Sequence, residues 1–142
     1  MNHRRATQHD CPLLAELNHQ LIRDEGHRNT MTVAELETRM CGFLQSDYAA
    51  ILFLDAGKIV AYALYRETPN EIYLRQLFVI RERRRHGIGK RAMEILRSEY
   101  WSNTKRLTLE VLTTNRAAIE FWKAMGYREY CLTMEIMPEK CG

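Results

Sequence analysis

The chain has 142 residues, a formal net charge of +3, 46% hydrophobic residues and 27% charged residues. These values are ordinary for a soluble protein and fit one globular domain over residues 1–142. The small net charge by itself indicates neither a nucleic-acid nor a membrane partner, and four cysteines without CxxC spacing argue against a metal cage.

Hydrophobic periodicity predicts a mixed α/β fold. Apolar residues at three- and four-residue steps indicate helices, and runs of β-branched and aromatic residues indicate strands. In chain order, the predicted elements are a strand at 3–7, a helix at 10–24, a helix capped at 32, strands at 48–54, 59–65 and 72–79, a helix at 87–101, a strand at 106–112, a helix capped at 114–115, and a last strand pair or one long strand at 127–137.

Short polar signals mark where elements begin and turn. Asp10, with Pro12 close behind, predicts the N-cap of the first helix. Thr32 and Glu35 have the spacing of a capping box at the start of the second helix. Residues 55–58 have the composition of a hairpin turn between two strands.

A basic, glycine-containing turn lies between the strand at 72–79 and the helix that follows it: Arg84-Arg85-His86-Gly87-Ile88-Gly89. Backbone N–H groups in the first turn of a helix have no partner inside the helix, and the helix dipole adds partial positive charge there. Gly87 and Gly89 let the backbone approach a phosphate that a Cβ atom would hold away. The turn therefore predicts a site for a cofactor that carries a pyrophosphate.

The sequence resembles the GNAT N-acetyltransferase superfamily over nearly its whole length. Three features in the family's order carry the resemblance. They are the Arg-x-x-Gly-x-Gly signature at residues 84–89, the strand Leu109-Glu110-Val111 followed by Asn115 and Ala118, and the helix end Phe121-Trp122-Lys123-Ala124-Met125-Gly126-Tyr127.

The resemblance implies a GNAT-like α/β fold, with a mostly antiparallel mixed sheet splayed near its centre and helices on both faces. It also implies that acetyl-CoA lies in the splay, with pantetheine along the strand and pyrophosphate on the signature turn, and that no metal takes part. The cofactor-binding residues expected on this basis are Leu77, Phe78, Val79, Arg84, Arg85, His86, Gly87, Ile88, Gly89, Lys90, Asn115, Ala118, Phe121 and Trp122.

The chemistry that the resemblance implies is direct attack of a neutral amine on the thioester carbonyl, with the Val79 N–H stabilising the oxyanion. Glu110 is the first candidate for the base and Glu71 the second; a purely structural Glu110 carboxylate is the competing interpretation. Many relatives protonate the leaving thiolate with a tyrosine at the position of Trp122, and an indole N–H cannot do so. Water, another tyrosine such as Tyr127, or departure of the unprotonated thiolate remain as alternatives.

The predicted function is acetylation of a primary amine on a small molecule or protein that the sequence does not identify. In relatives, the loop at residues 25–29 overhangs the acceptor site. Arg75 and Gln76 are expected on opposite faces of the sheet, so that one of them lines the acceptor cleft or forms a surface ion pair. A non-catalytic CoA-binding sensor is the alternative that Trp122 raises. A nucleic-acid-binding module built on residues 81–91 is a weaker one, because the basic run lacks interleaved aromatic residues.

The location and assembly of the chain follow from weaker signals. The N-terminus lacks the apolar run of a secretory signal, and no stretch approaches the roughly 20 apolar residues of a membrane-spanning helix. A cytoplasmic location with reduced thiols is expected. Members of the superfamily often pair as homodimers, and nothing in the sequence fixes the number of subunits.

Overall fold

The computed structural model describes residues 1–139, and within them five strands form one sheet in the order β1-β2-β3-β4-β5. Strands β1 to β4 pair antiparallel, and β5 runs parallel to β4. The elements are β1 (Asn2–Arg5), α1 (Cys11–Asp24), α2 (Val33–Leu44), β2 (Tyr48–Asp55), β3 (Lys58–Glu67), β4 (Glu71–Val79), α3 (Ile88–Ile95), β5 (Arg106–Leu109) and α4 (Arg116–Ala124). The predicted fold class, a mostly antiparallel mixed sheet with helices, is confirmed.

Helices cover both faces of the sheet, because each strand alternates its apolar side chains between two cores. One core joins α1 and α2 to the sheet through Leu14, Leu17, Leu21, Met40, Tyr62, Leu64 and Phe78. The other core lies under α3 and α4 and includes Ala63, Tyr65, Ile72, Leu74, Ala92, Met93 and Leu96. Within residues 1–139, none of the helices has the length and apolar character that crossing a bilayer requires.

Two of the predicted local signals are confirmed. Thr32 begins α2 with a capping box, in which the Glu35 N–H donates to Thr32 Oγ1 (3.2 Å) and the Thr32 N–H donates to Glu35 Oε1 (2.9 Å). The β2–β3 hairpin turns through Ala56 and Gly57, whose φ angles are 50° and 78°. Two positive φ angles match the twist that a two-residue hairpin needs.

The predicted N-cap position of Asp10 is confirmed, but its side chain has a different role from a helix cap. Asp10 occupies the N-cap position of α1, but its side chain makes no capping hydrogen bond there. The carboxylate instead accepts from the Thr7 N–H (2.7 Å) and from both terminal nitrogens of Arg4 (2.9 Å each). A short 3₁₀ turn at Gln8–Asp10 precedes α1, and this carboxylate closes it.

The prediction that Arg75 and Gln76 face opposite sides of the sheet is also wrong. On β3, Leu64 pairs with Gln76 and the next residue, Tyr65, pairs with Leu74, so Arg75 is the extra residue of a β-bulge. The Arg75 guanidinium lies over the ring of Phe43 in α2. The Gln76 side chain accepts a hydrogen bond from the hydroxyl of Tyr62, which is buried in the core beneath α1 and α2. Both side chains therefore lie on the α1/α2 face.

Two elements end earlier than the sequence predicts. The strand predicted at 106–112 stops at Leu109, because β4 bulges at Arg75 and offers no pairing partner beyond Leu74. The helix predicted at 87–101 is α-helical to Ile95 and then widens into a π-helical turn at Leu96–Tyr100.

The predicted strand or strand pair at 127–137 is absent from the described structure. Its side chains alternate as a strand's would, but the segment has no backbone ladder with the rest of residues 1–139. It is held by side-chain contacts, such as the ion pair between Arg28 and Glu135 (2.9 Å). Tyr130 and Ile136 are 84% and 98% exposed, so the apolar side of the pattern has no sheet to pack on.

Candidate functional site

A gap opens in the sheet between β4 and β5. Their pairing covers only Glu71–Leu74 and Arg106–Leu109, whereas β4 continues to Val79. The Ile80 N–H donates to the carbonyl of β3 residue Val60 (3.0 Å). Because alternate residues of a strand direct their backbone groups to the same side, Leu77 and Val79 direct theirs into the gap and Phe78 directs its own toward β3.

The turn at the head of α3 presents a run of free backbone donors at the end of this gap. In the described part of the chain, none of the N–H groups from residue 85 to residue 90 donates to a protein acceptor. Arg85 and Gly87 have φ angles of 67° and 73°, so both residues have a left-handed backbone conformation. Such a concave run of amides at a helix N-terminus attracts anions.

The two glycines of the signature are required for different reasons. Gly87 has open space around the position of a Cβ atom, so only its left-handed backbone favours glycine. A Cβ atom on Gly89 would lie 3.2 Å from Cζ of Phe121 and 3.9 Å from Cγ2 of Val79. Gly89 thus lets α4 approach the head of α3, which brings Phe121 to the wall of the gap.

The side chain of Arg84 is engaged within the protein. Its Nε donates to the Val79 carbonyl (3.0 Å), a terminal nitrogen donates to Asp24 (2.6 Å), and the guanidinium stacks over Phe78. Arg84 therefore ties the end of β4 to the end of α1. The contact of Arg84 with phosphate remains a prediction. In that contact, phosphate would compete with the Val79 carbonyl and the Asp24 carboxylate for the guanidinium.

The other basic residues of the turn divide into two groups. Arg81 pairs with Asp24 (2.6 Å) and Arg83 pairs with Asp55. Arg85, His86 and Lys90 are exposed and form no ion pair within residues 1–139. These three side chains are available to an anion held by the amides.

Helix α4 forms the far wall of the gap, and its residues were predicted to bind the cofactor. Asn115 caps the helix because its side-chain oxygen accepts from the Ala118 N–H at 3.2 Å. This side-chain oxygen therefore already has a hydrogen-bonding partner within the protein. Phe121 and Trp122 pack edge to face with ring centres 4.8 Å apart. Of the two rings, Phe121 contacts the signature turn directly.

Tyr127, an alternative acid in the sequence prediction, is partly buried. Its ring packs on Trp122 (5.5 Å), and its hydroxyl is buried without a partner among the described residues. Burial raises the pKa of Tyr127 to about 12, an effect that the charge of Arg97 opposes.

Glu110 stands where β4 and β5 separate. It is the first residue after the pairing, and its Oε1 accepts from the Tyr73 hydroxyl at 2.7 Å. Partial burial raises the pKa of Tyr73, and the hydrogen bond to Glu110 raises it further, so the phenol stays protonated as the donor. Glu71, the second candidate, is paired with Arg106 (3.0 Å) farther from the opening.

Of the polar residues near this opening, Tyr62 and Tyr73 were not predicted. The buried Tyr62 hydroxyl donates to Gln76 Oε1 at 2.7 Å. Glu25, in the loop after α1, is half-buried, and desolvation raises its pKa. Gln76 carried a usable signal, since it interrupts an apolar run, whereas Tyr73 fits a strand pattern and gave none.

Comparison with known proteins identifies a family profile and solved structures that resemble this chain. The profile of the acetyltransferase (GNAT) family matches residues 7–127. The BH1408 protein from Bacillus halodurans, solved as a mutant, is 25% identical with a TM-score of 0.78 over 98% of this chain and 100% of its own. A predicted acetyltransferase from Clostridium acetobutylicum, solved with acetyl-CoA, is 17% identical with a TM-score of 0.73 over 96% of this chain and 95% of its own.

A third solved structure is an aminoglycoside N-acetyltransferase, AAC(6')-Iy, in complex with CoA. It is 14% identical with a TM-score of 0.75, over 99% of this chain and 95% of its own. No curated protein sequence matches the chain at a significant level. The family profile covers well over half of the residues, and the gap between β4 and β5, the signature turn and the α4 wall lie within the part that it matches. The chain belongs to the acetyltransferase (GNAT) family.

Proposed function

We propose that this protein transfers an acetyl group from acetyl-CoA to a primary amine. The observation that carries the proposal is the run of free amides at residues 85–90, which opens onto an unpaired edge of β4. Pyrophosphate needs several oriented N–H donors, and pantetheine needs a free strand edge for its amides. Both are present here along one continuous gap.

The walls of the gap fit the rest of the cofactor. Leu77 and Val79 offer backbone groups to pantetheine, although the Val79 carbonyl already accepts from Arg84. Arg85 and Lys90 are free to add charge-assisted contacts to phosphate. Phe121 supplies an apolar surface beside the signature turn, and the Asn115 amide nitrogen remains available after capping.

The reacting end of acetyl-CoA belongs at the opening beside Glu110. One ammonium proton passes to Glu110 directly or through water, and the neutral amine nitrogen then bonds to the acetyl carbon as the carbon–sulfur bond breaks. The attacking nitrogen loses its second proton to water. Tyr73 holds the Glu110 carboxylate in place through its hydroxyl. The products are the acetylated amine and CoA, whose thiolate takes its proton from water.

The oxyanion donor is better assigned to Leu77 than to Val79. Strand residues advance about 3.3 Å each, which puts Leu77 about 7 Å and Val79 about 13 Å along β4 from the opening at Arg75. Both N–H groups point into the gap. The nearer one can reach a thioester that also lies beside Glu110, so Leu77 replaces the residue favoured by the sequence.

The test is acetyl-CoA consumption against a panel of amines, followed by the release of free CoA thiol. Turnover above the rate of hydrolysis, reduced in Glu110→Gln with CoA affinity unchanged, is the expected result. Binding of acetyl-CoA without turnover on any amine would contradict the transferase assignment.

A CoA-binding sensor is the second candidate, because Trp122 stands where many relatives have the tyrosine that acts as acid. The burial of the Tyr127 hydroxyl supports this candidate, because a buried phenol is a poor replacement for that acid. Tight CoA binding with no acetylated product would favour the sensor.

A further inference from the structure

Three guanidinium groups surround two rings that pack against each other at a tilt on the α1/α2 face of the sheet. The rings of Phe43 and Tyr48 lie 4.7 Å apart. The Arg39 and Arg75 guanidiniums lie 5.5 Å and 4.9 Å from the centre of the Phe43 ring, and the Arg66 guanidinium lies 5.5 Å from the centre of the Tyr48 ring. We refer to Arg39, Arg66 and Arg75 as the arginine cluster.

The described part of the protein does not neutralise this cluster. None of its members forms an ion pair with an Asp or Glu of residues 1–139. Within residues 1–139, Arg39 donates only to the Asn18 side chain (3.1 Å), and Nε of both Arg39 and Arg66 is buried without an acceptor. Buried polar groups in native proteins usually have partners, and buried charges are usually paired.

The like charges affect each other. Burial lowers the pKa of Arg39, and the nearby charge of Arg75 lowers it further. By contrast, Arg81, Arg83 and Arg84 beside the signature turn each pair with a carboxylate. Three guanidiniums beside the signature turn therefore have carboxylate partners, whereas the members of the arginine cluster have none among residues 1–139.

The cluster lies beside the opening at which acetyl transfer is proposed. Arg75 is the bulged residue of β4 and the first one beyond its pairing with β5. Arg66 is the β3 partner of Tyr73, whose hydroxyl donates to Glu110. An amine positioned at Glu110 would therefore have its substituents close to the arginine cluster.

We infer that the acceptor is an amine that also carries an anionic group, a carboxylate or a phosphate, which the arginine cluster binds. This inference rests on the proposed function and names its substrate class. The planar guanidinium fork matches the geometry of both anions, and an anion would supply the countercharge that residues 1–139 do not provide. A polycationic acceptor would instead meet like charge at this position.

The experiment compares acceptors that differ only in the anionic group. The pairs are L-phenylalanine with phenethylamine and phosphoethanolamine with ethanolamine, and kanamycin serves as the polycation. Each is assayed with acetyl-CoA against the wild type, Arg75→Gln and the control variant Arg97→Gln. Arg75 and Arg97 are both exposed and lack ion pairs in residues 1–139, but Arg97 lies beyond the opposite face of the sheet.

The acidic member of at least one pair is expected to have a kcat/KM at least about tenfold higher than its neutral partner, because a hydrogen bond to a charged group contributes that much or more. Arg75→Gln removes most of this preference through KM, and Arg97→Gln keeps it. A preference for L-phenylalanine over phenethylamine indicates a carboxylate site, and a preference for phosphoethanolamine over ethanolamine indicates a phosphate site. Equal kcat/KM values within both pairs, or a preference for kanamycin, would overturn the inference and leave the transferase function intact.

A binding measurement separates this inference from the proposed function. N-acetyl-L-phenylalanine and N-acetylphenethylamine are titrated into the CoA-loaded protein and followed by isothermal titration calorimetry. Tighter binding of the acidic compound that is lost in Arg75→Gln supports the anion site even if no amine is acetylated. Equal binding of the two compounds, or a preference unchanged in Arg75→Gln, counts against it.

Discussion

The left-handed backbone of Gly87 offers a quantitative test of the cofactor site. Gly87 has a φ of 73° and a ψ of 12° at the start of α3, and a Cβ atom there would meet nothing within 4 Å. Gly87→Ala therefore introduces no clash and acts through the backbone alone. Placing an alanine in the left-handed region costs about 1–2 kcal/mol.

That cost translates into affinity if the turn must be left-handed to hold pyrophosphate. The free variant relieves the strain by leaving this conformation, and CoA binding has to restore it. Since about 1.4 kcal/mol corresponds to a tenfold change in an equilibrium constant, the CoA dissociation constant should rise roughly five- to thirtyfold. Isothermal titration calorimetry with CoA measures this change directly.

Gly57 provides the matched control. Its φ is 78°, it also has nothing within 4 Å of a Cβ position, and it lies in the β2–β3 hairpin turn. Gly57→Ala should lower the free energy of unfolding by a similar amount and leave CoA affinity unchanged. If Gly87→Ala keeps the stability of the wild type, so that the strain has been relieved in the free protein, and still binds CoA within twofold of the wild type, the turn does not hold the cofactor.

Four further predictions concern catalysis, stability and assembly. Glu110→Gln should lower kcat at neutral pH without changing CoA affinity, and an unchanged pH–rate profile would exclude it as the base. Tyr73→Phe should lower kcat about tenfold, because it removes a hydrogen bond to a charged group, and an unchanged kcat would refute the positioning role. Arg4 is the main cause that lowers the pKa of Asp10 to about 2 from 3.8, so its stabilisation is present above pH 4 and lost as the pH falls toward 2. The difference in the free energy of unfolding by urea between wild type and Asp10→Asn should therefore disappear over that pH range. A difference that stays constant with pH would contradict this prediction. Light scattering is expected to show a dimer, given the exposed apolar side chains of residues 130–136, and a monomer would contradict that expectation.

Local signals predicted the elements well where neighbours in sequence decide the structure. The capping box of Thr32 and Glu35 and the hairpin turn at Ala56 and Gly57 need only residues within four positions of each other. The signature turn is also local, because its free amides follow from the start of a helix after a glycine.

The bulge at Arg75 could not be predicted in this way, because it depends on the register between β3 and β4. A period of two assigns alternate residues to opposite faces, and one inserted residue breaks that rule. The partners of Arg84 show the same limit, since Asp24 lies 60 residues earlier in the chain.

The surroundings of Glu110 illustrate what a motif leaves out. The motif identified Glu110, but its Tyr73 partner lies 37 residues away on the neighbouring strand. The arginine cluster draws its members from α2, β3 and β4 and its rings from α2 and β2, so no single segment of sequence contains it. Such sites become visible only when the sheet is assembled.

The central claim is tested most directly by a crystal structure of this protein with acetyl-CoA. Pyrophosphate oxygens are expected within hydrogen-bonding distance of the N–H groups of residues 85–90, with pantetheine along the open edge of β4 and the thioester beside Glu110. Acetyl-CoA bound elsewhere, or a signature turn filled by protein side chains, would contradict it.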